Sequence, residues 1–197
     1  METLRELAQR YPESVEIQVR YARALFNLTT KQEVVGTQET VEALRGLAQR
    51  YPESVEIQVP YAMALLNLTS EQDLAGMQET VETLRELAQR HPESVEIQVQ
   101  YAMALVNLTT KQDLVGTQET VETLCELAQR YPESVEIQVR YAMALVNLTS
   151  EQDLAGRQET VETLRELAQR YPESMEIQVR YARALVNLTT EEDLAGT

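Results

Sequence analysis

The chain has 197 residues, of which 43% are apolar, and its 32 acidic and 17 basic side chains give a formal net charge of −15. This charge argues against a nucleic acid as partner, because binding phosphates requires a basic face, and it argues equally against an anionic membrane surface. A single cysteine, Cys125, excludes an intramolecular disulfide and favours a reducing compartment. With no recognisable secretion signal or membrane-spanning apolar run, we expect a cytoplasmic location.

The sequence repeats with a period of 40 residues, without insertion or deletion. The segment Tyr11-Pro12-Glu13-Ser14 marks the period, and its copies begin at Tyr51, His91, Tyr131 and Tyr171. A period of this length is typical of an array in which each unit buries its apolar face against its neighbours. We therefore predict a single array over residues 1–197. Its units are 1–11 (helix B only), 12–51, 52–91, 92–131, 132–171 and 172–197 (helix A only).

The first full unit opens with a helix, helix A, directly after Pro12. Its apolar residues follow each other in steps of three and four, as on one stripe of an α-helix, and Ser14 is a suitable N-cap. The stripe consists of Val15, Val19, Ala22, Leu25, Phe26 and Leu28. Gly36 suits a left-handed C′ position, so we expect helix A to run to about Val35. Alternatively, segments 30–33 and 70–73 form capping boxes that start a separate turn.

Helix B follows, with a buried stripe of Val41, Leu44, Leu47 and Ala48. Tyr51-Pro52 ends it, because proline disfavours a helical conformation of the residue before it. Short connections imply that helices A and B form an antiparallel hairpin. Since no segment shows strand alternation, we predict an all-α chain.

The unit resembles the tetratricopeptide repeat family. In helix A, an aromatic residue, a small residue and a large apolar residue stand at Tyr21, Ala22 and Leu25. In helix B, Thr40, Leu44, Leu47 and Pro52 fall at intervals that match the family's second helix. The resemblance covers the whole chain and implies a right-handed α-solenoid of about five antiparallel helix pairs, with helix A lining the concave surface.

Two features depart from this family. The 40-residue unit is six residues longer than the usual length of about 34, with the extra residues between the helices. Glutamine replaces the early aromatic residue of helix A, and the chain has no tryptophan. These glutamines are Gln18, Gln58, Gln98, Gln138 and Gln178.

The resemblance implies a binding groove along the A helices. In the three middle units, methionine lies near aliphatic side chains and suits an adaptable apolar surface, while a ladder of asparagines could bond a peptide backbone. Alternatively, the methionines fill the core and the asparagines bond neighbouring helix ends. The family's clamp for a terminal carboxylate is not expected, because Val19 and Met63 do not supply its charged side chains. The candidate partner-binding residues are Val19, Arg23, Phe26, Asn27, Val59, Met63, Leu66, Asn67, Val99, Met103, Val106, Asn107, Val139, Met143, Val146, Asn147, Arg183 and Asn187.

The first helix B and the last helix A suggest a second function. No polar capping repeat is visible at either of these two helices, although stable arrays usually carry one. The first helix B of one molecule could therefore pack on the last helix A of another, which would give a filament or a ring. The self-association residues would be Leu4, Leu7 and Ala8 at one end and Val179, Ala182 and Leu185 at the other. Alternatively, the chain is a piece of a longer array.

Nothing in the sequence predicts catalysis, a metal site or a cofactor. The candidate carboxylates recur in every unit, as structural residues do, and Cys125 has no second cysteine or histidine beside it. We expect Cys125 on the exposed side of helix B and His91 in a packing role. We therefore expect a non-catalytic scaffold that binds a protein or peptide segment, or else a structural array that binds itself.

Overall fold

The computed structural model describes the backbone of residues 2–29, 34–68, 73–150 and 152–195, and these ranges form ten α-helices and no strand. The prediction of an all-α chain is confirmed for these ranges. The helices are α1 (Glu2–Arg10), α2 (Val15–Thr29), α3 (Val34–Arg50), α4 (Val55–Leu68), α5 (Leu74–Arg90), α6 (Val95–Thr109), α7 (Leu114–Arg130), α8 (Val135–Thr149), α9 (Leu154–Arg170) and α10 (Met175–Ala195). Within the same ranges, no helix combines the length and apolar character needed to cross a membrane.

The chain divides into two compact units, residues 1–104 and 105–197, and the division falls inside α6. In the first unit, α2 contacts α1, α3 and α4, while α4 also contacts α3 and α5. In the second unit, α8 contacts α7, α9 and α10, and α9 also contacts α10. In each unit, therefore, an A helix contacts the B helices on both sides of it in sequence and the next A helix.

The core repeats with the sequence. Each full B helix contributes a completely buried leucine and each later A helix a completely buried isoleucine. The leucines are Leu44, Leu84, Leu124 and Leu164, and the isoleucines are Ile57, Ile97, Ile137 and Ile177. The predicted stripe of helix B is confirmed for Val41, Leu44 and Ala48, which are buried, while Leu47 is half-buried.

The predicted stripe of helix A was wrong at its first residue. Val15 is 48% exposed and its copy Val135 is 46% exposed, whereas Ile137, two residues further on, is fully buried. The physical reason is that an A helix is contacted by helices on several sides, as α8 is by α7, α9 and α10. A single stripe of steps of three and four does not describe a helix that buries more than one face.

The prediction that helix A runs to about Val35 was also wrong for the inner units. In the described copies a separate helix B begins near the position of Val34, and Gly36 lies inside α3 rather than at a left-handed C′ position. An aspartate caps the new helix: Asp113 Oδ1 accepts a hydrogen bond from the backbone N–H of Gly116 at 3.0 Å. Asp73 and Asp153 do the same for α5 and α9. Residues 30–33 and 70–72, where the capping boxes were proposed, lie outside the described residues.

The last A helix differs from the others. Helix α10 continues to Ala195, past the position at which α8 ends at Thr149. At the end of α8, Ser150 Oγ donates a hydrogen bond to the carbonyl oxygen of Asn147 at 2.7 Å, and α9 follows after its Asp153 cap. The extended form of helix A that the glycine pattern suggested is thus found only in α10 among the described A helices.

The predicted boundary between helix B and the next helix A is confirmed. Helix α3 ends at Arg50, directly before Tyr51-Pro52, and the Tyr51 N–H donates to the Leu47 carbonyl oxygen at 2.9 Å. The serine cap predicted at Ser14 is seen at its copy Ser134, whose side chain accepts a hydrogen bond from the backbone N–H of Ile137 at 3.4 Å. These caps satisfy helix-end groups that have no partner inside the helix.

Pro60 lies inside α4 and is buried. Because proline has no N–H, it cannot make the usual helical hydrogen bond to the residue four positions before it, Glu56. The helix is nevertheless assigned without a break from Val55 to Leu68. We predict a local kink in α4 at this residue.

Gly46 offers a stabilising substitution on α3. It is exposed, and a Cβ added there would meet no atom within 4 Å, while the other B helices carry glutamate at this position. Gly46→Ala should raise the free energy of unfolding by about 0.5–1 kcal/mol, because glycine is that much less favourable in a helix interior. Urea unfolding followed by circular dichroism measures the change. A decrease in stability would contradict the open environment described for Gly46.

Candidate functional site

The glutamines that replace the family's aromatic residue fix each A helix to the B helix before it. All five are directed at the end of the preceding helix B, and Gln18, Gln58, Gln98 and Gln138 are buried. Gln98 Nε2, for example, donates to the carbonyl oxygens of Ala88 at 2.8 Å and His91 at 3.2 Å. The same pair of bonds is made by Gln18, Gln58, Gln138 and Gln178. Each glutamine thereby donates to two carbonyl groups at the C-terminal end of a helix, and the second of these also accepts a hydrogen bond from a serine backbone N–H, as His91 does from Ser94.

A tyrosine at the end of helix B connects one hairpin to the hairpin before it. The Tyr171 hydroxyl donates to the carbonyl oxygen of Pro132 at 2.8 Å, and Tyr51 makes the same bond to Pro12. Both bonds span 39 residues, close to one period of the repeat. They therefore hold consecutive hairpins, and with them the A helices, in a fixed register.

His91 occupies this tyrosine position without making the tyrosine's bond. Its side chain is only 3% exposed, its Nε2 has no hydrogen-bond partner, and its Nδ1 lies 4.0 Å from Glu93 Oε1. A buried polar atom without a partner costs free energy comparable to a lost hydrogen bond. The expected packing role agrees with this burial, but the packing leaves one polar atom unsatisfied.

His91→Tyr should raise the free energy of unfolding by about 1–2 kcal/mol, because it removes the unsatisfied nitrogen and supplies a hydroxyl for the Pro52 carbonyl. Tyr171→Phe is the matched control, since it deletes the equivalent bond in another copy and should destabilise by about 1 kcal/mol. Thermal and urea unfolding of the two variants measure both changes. If neither variant changes stability, the tyrosine–proline bond does not connect the hairpins as described.

Some residues of the predicted groove are not accessible. Val99, Val106, Val139 and Val146 are between 4% and 8% exposed, so we correct their assignment from groove lining to packing between helices. Val19, Phe26, Val59 and Leu66 are half-buried. The apolar positions that flank the methionines therefore belong largely to the interior of the fold, because each A helix buries more than one face.

Two other predicted positions of the A helices are at least partly accessible in every copy. Met63, Met103 and Met143 are half-buried, and Arg23 and Arg183 take the same position and are exposed. One turn later, Asn27 and Asn67 are exposed, and Asn107, Asn147 and Asn187 are half-buried. A partner approaching this face would thus meet methionine and asparagine side chains in the middle copies.

One asparagine of this ladder also has a structural role. Asn147 Nδ2 donates to Thr109 Oγ1 at 2.9 Å, and the buried Thr109 donates to the Val106 carbonyl oxygen at 2.7 Å. The alternative interpretation, in which the asparagines bond neighbouring helix ends, is therefore correct for Asn147. Beside it, Met143 Sδ accepts a hydrogen bond from Arg140 Nη1 at 3.4 Å.

Two grooves between consecutive B helices were not predicted from the sequence. One lies between α3 and α5, has a volume of about 360 Å³, and includes Gln58 and Tyr61 of α4 in its lining. The other lies between α7 and α9, has a volume of about 230 Å³, and includes Gln138 and Tyr141 of α8. The sequence signal that marks these grooves is the repeated glutamine, which stands where the family has an aromatic residue.

Cys125 and Tyr141 distinguish the second groove from the first. In the first groove, Arg45 Nε donates a hydrogen bond to the Tyr61 hydroxyl at 3.3 Å. In the second groove, Cys125 stands at the position of this arginine, is half-buried and forms a hydrogen bond with Tyr141. Burial, and to a lesser extent the bond to Cys125, raises the pKa of Tyr141. Cys125 is less exposed than expected.

The six residues of the proposed self-association ends are placed differently from one another. Ala8 is buried by the chain itself, so it is not available to a partner, and Leu4 is half-buried. Leu7, Val179 and Leu185 are 38%, 52% and 37% exposed, and Ala182 is also exposed. Apolar side chains are thus accessible on both α1 and α10.

Within the part of the chain that the structure describes, no three His, Cys, Asp or Glu side chains come together as ligands for a metal ion. Salt bridges between described residues are local and exposed, as between Arg165 and Glu162 at 3.3 Å. Such pairs contribute little to stability. Comparison of the chain with protein-family models, with curated proteins and with solved structures found no match.

Proposed function

We propose that the chain is a non-catalytic scaffold that binds a segment of a protein or peptide along its A helices. We further propose that the hairpins form a right-handed solenoid of about five tetratricopeptide-like pairs, in which these helices line the concave surface. The observation that carries the proposal is that three successive A helices have a half-buried methionine at the same position of the repeat, namely Met63, Met103 and Met143. Flexible thioether side chains adapt to apolar ligands of different shape.

The charge of the chain favours a basic partner. A net charge of −15 would attract a cationic segment and repel an acidic one. Asparagine beside methionine could add hydrogen bonds to the backbone of the bound segment. An amphipathic peptide with apolar residues at helical spacing and lysine or arginine between them fits both features.

The test is selection of peptides from a random display library against the wild-type chain, followed by affinity measurements on variants. Combined Met63→Glu, Met103→Glu and Met143→Glu substitutions should weaken the selected basic amphipathic peptides at least 10-fold, because they place charge in the apolar contact. The matched control adds three glutamates to the B helices through Thr83→Glu, Thr123→Glu and Thr163→Glu, at positions that are also half-buried.

The control also locates the site. Equal binding to the wild type and the threonine variant, with loss in the methionine variant, would support the A-helix face. Loss of binding only in the threonine variant would contradict the proposal and move the site to the grooves between the B helices, which Thr83 and Thr163 line. Circular dichroism of both variants ensures that the comparison is made between folded chains.

A further inference from the structure

Helices α1 and α9 have the same sequence but different surroundings. The nine residues of α1, Glu2–Arg10, are identical to the last nine residues of α9, residues 162–170. In α9, Leu164 is completely buried and Leu167 is 9% exposed, because α9 contacts both α8 and α10. In α1, the equivalent Leu4 is half-buried and Leu7 is 38% exposed, and the described contact of α1 is with α2. Among the described residues, therefore, no helix packs on α1 in the way that α8 packs on α9.

Helices α8 and α10 show the reciprocal difference. Val139 and Leu145 of α8 are 8% and 4% exposed, and α8 is contacted by α9 and α10. The equivalent Val179 and Leu185 of α10 are 52% and 37% exposed. To bury these side chains as α8 does, α10 would need two neighbouring helices, one equivalent to α9 and one equivalent to α10.

The hairpin of α1 and α2 contains equivalents of α9 and α10, in the same order along the chain. Helix α1 repeats the sequence of α9, and α2 is a copy of α10 that differs from it at few positions. Helix α2 also has an apolar face that is less buried than the equivalent face of α10. Ile17 and Ala24 are half-buried, whereas the equivalent Ile177 and Ala184 of α10, which packs on α8 and α9, are 0% and 1% exposed.

We propose that copies of this chain associate head to tail, with the α1–α2 hairpin of one copy packing on α10 of another as α9 and α10 pack on α8. The contact is heterologous, because the two surfaces are different, so a second copy leaves one surface of each kind available for a third. The contact uses residues other than Met63, Met103 and Met143. If the chain does not associate in this way, the proposed peptide-binding function is unaffected.

Charge opposes this association. Each copy carries a net charge of −15. We therefore expect association to strengthen as salt is added and screens this repulsion. Sedimentation velocity from micromolar to millimolar concentration should show a mass that rises above the 22.4 kDa of one chain, and rises further in salt.

Two variants separate the two surfaces. Leu4→Glu places a charge on the α1–α2 surface and leaves α10 intact, whereas Leu185→Glu does the reverse. Each variant alone should remain at 22.4 kDa, because one of the two surfaces needed for every contact is missing. An equimolar mixture should form a species of twice that mass and nothing larger, because only one productive contact is possible between the two variants. Gly46→Glu, which adds the same charge at an exposed position of α3, should associate like the wild type.

Three results would overturn the proposal. They are a wild-type chain that stays at 22.4 kDa at every concentration and salt level, a single variant that associates as the wild type does, and a mixture that forms no dimer. Circular dichroism checks that each variant is folded. If Leu4→Glu unfolds the chain, Leu7→Glu takes its place, because Leu7 is 38% exposed and tolerates charge more readily.

Discussion

Replacing Ile137 with alanine is expected to lower the free energy of unfolding by about 2–5 kcal/mol, the usual range for truncating a buried isoleucine. Ile137 is 0% exposed in α8, which α7, α9 and α10 contact. The loss has two sources, the transfer of the removed methyl and methylene groups and the cavity that the surrounding helices cannot fill. Because the repeat places an isoleucine at this position in every later A helix, Ile57, Ile97 and Ile177 should respond similarly.

Val135→Ala is the matched control for this prediction. Val135 lies two residues earlier in the same helix and is 46% exposed, so its truncation should change the free energy of unfolding by no more than about 0.5 kcal/mol. Urea unfolding monitored by circular dichroism gives both values. Similar losses for the two variants would show that α8 is rotated relative to the described structure.

Replacing Gln98 with alanine is expected to destabilise the chain by about 1–3 kcal/mol, because the Ala88 carbonyl loses its donor in a buried site, while the His91 carbonyl keeps the bond from the Ser94 N–H. Gln98 is 2% exposed, and its Nε2 bonds to the carbonyl oxygens of Ala88 and His91 at 2.8 and 3.2 Å. Gln89→Ala removes the same amide from an exposed position of α5 and should be nearly neutral.

Gln98→Glu tests whether donation, rather than shape, is what matters. The carboxylate is nearly the same size but can only accept hydrogen bonds, so it would face two carbonyl oxygens and should destabilise at least as much as alanine at neutral pH. As the pH falls, the carboxyl group becomes protonated and can donate one bond. The difference from the wild type at the same pH should therefore decrease in acid. A Glu variant as stable as the wild type at neutral pH would contradict the proposed role of the amide.

The sequence correctly predicted those features that depend on residues close to each other along the chain. Proline after Tyr51 ends α3 because of a local steric conflict, and the stripe of Val41, Leu44 and Ala48 is buried because helix B presents one apolar face. The error at Val15 has the opposite cause. Helix A is enclosed by several helices, so the periodicity of its apolar residues did not reveal which of Val15 and Ile17 belongs to the core.

The start of helix B was mispredicted because two local signals compete. Gly36 was interpreted as the end of a helix, but the aspartate cap seen at Asp73, Asp113 and Asp153 places the equivalent glycines in the first turn of the next helix. The preference of glycine for a C′ position is statistical, whereas the aspartate forms a hydrogen bond that a helix N-terminus requires. In α10 the backbone stays helical through this position, so the local sequence alone does not decide the outcome.

The candidate site was predicted less completely than the fold. The methionine and asparagine positions are accessible in the structure, but the neighbouring valines of α6 and α8 are buried, and Asn147 is bonded to Thr109. The period of the repeat places each residue along its helix. The exposure of its side chain depends on which other helix packs against it, and the period alone does not contain that information.

The amino-acid sequence by itself therefore determined the 40-residue period, the helical content and the helix ends set by Tyr-Pro, because these follow from local sterics and periodic apolar patterning. The tertiary structure decided the remaining features. It directed the repeated glutamines to the ends of the preceding B helices, joined tyrosine and proline 39 residues apart, and gave identical segments such as α1 and the end of α9 different exposure. The physical reason is that burial and hydrogen bonding across hairpins are properties of pairs of distant segments, so identical local sequences acquire different environments when their neighbours differ.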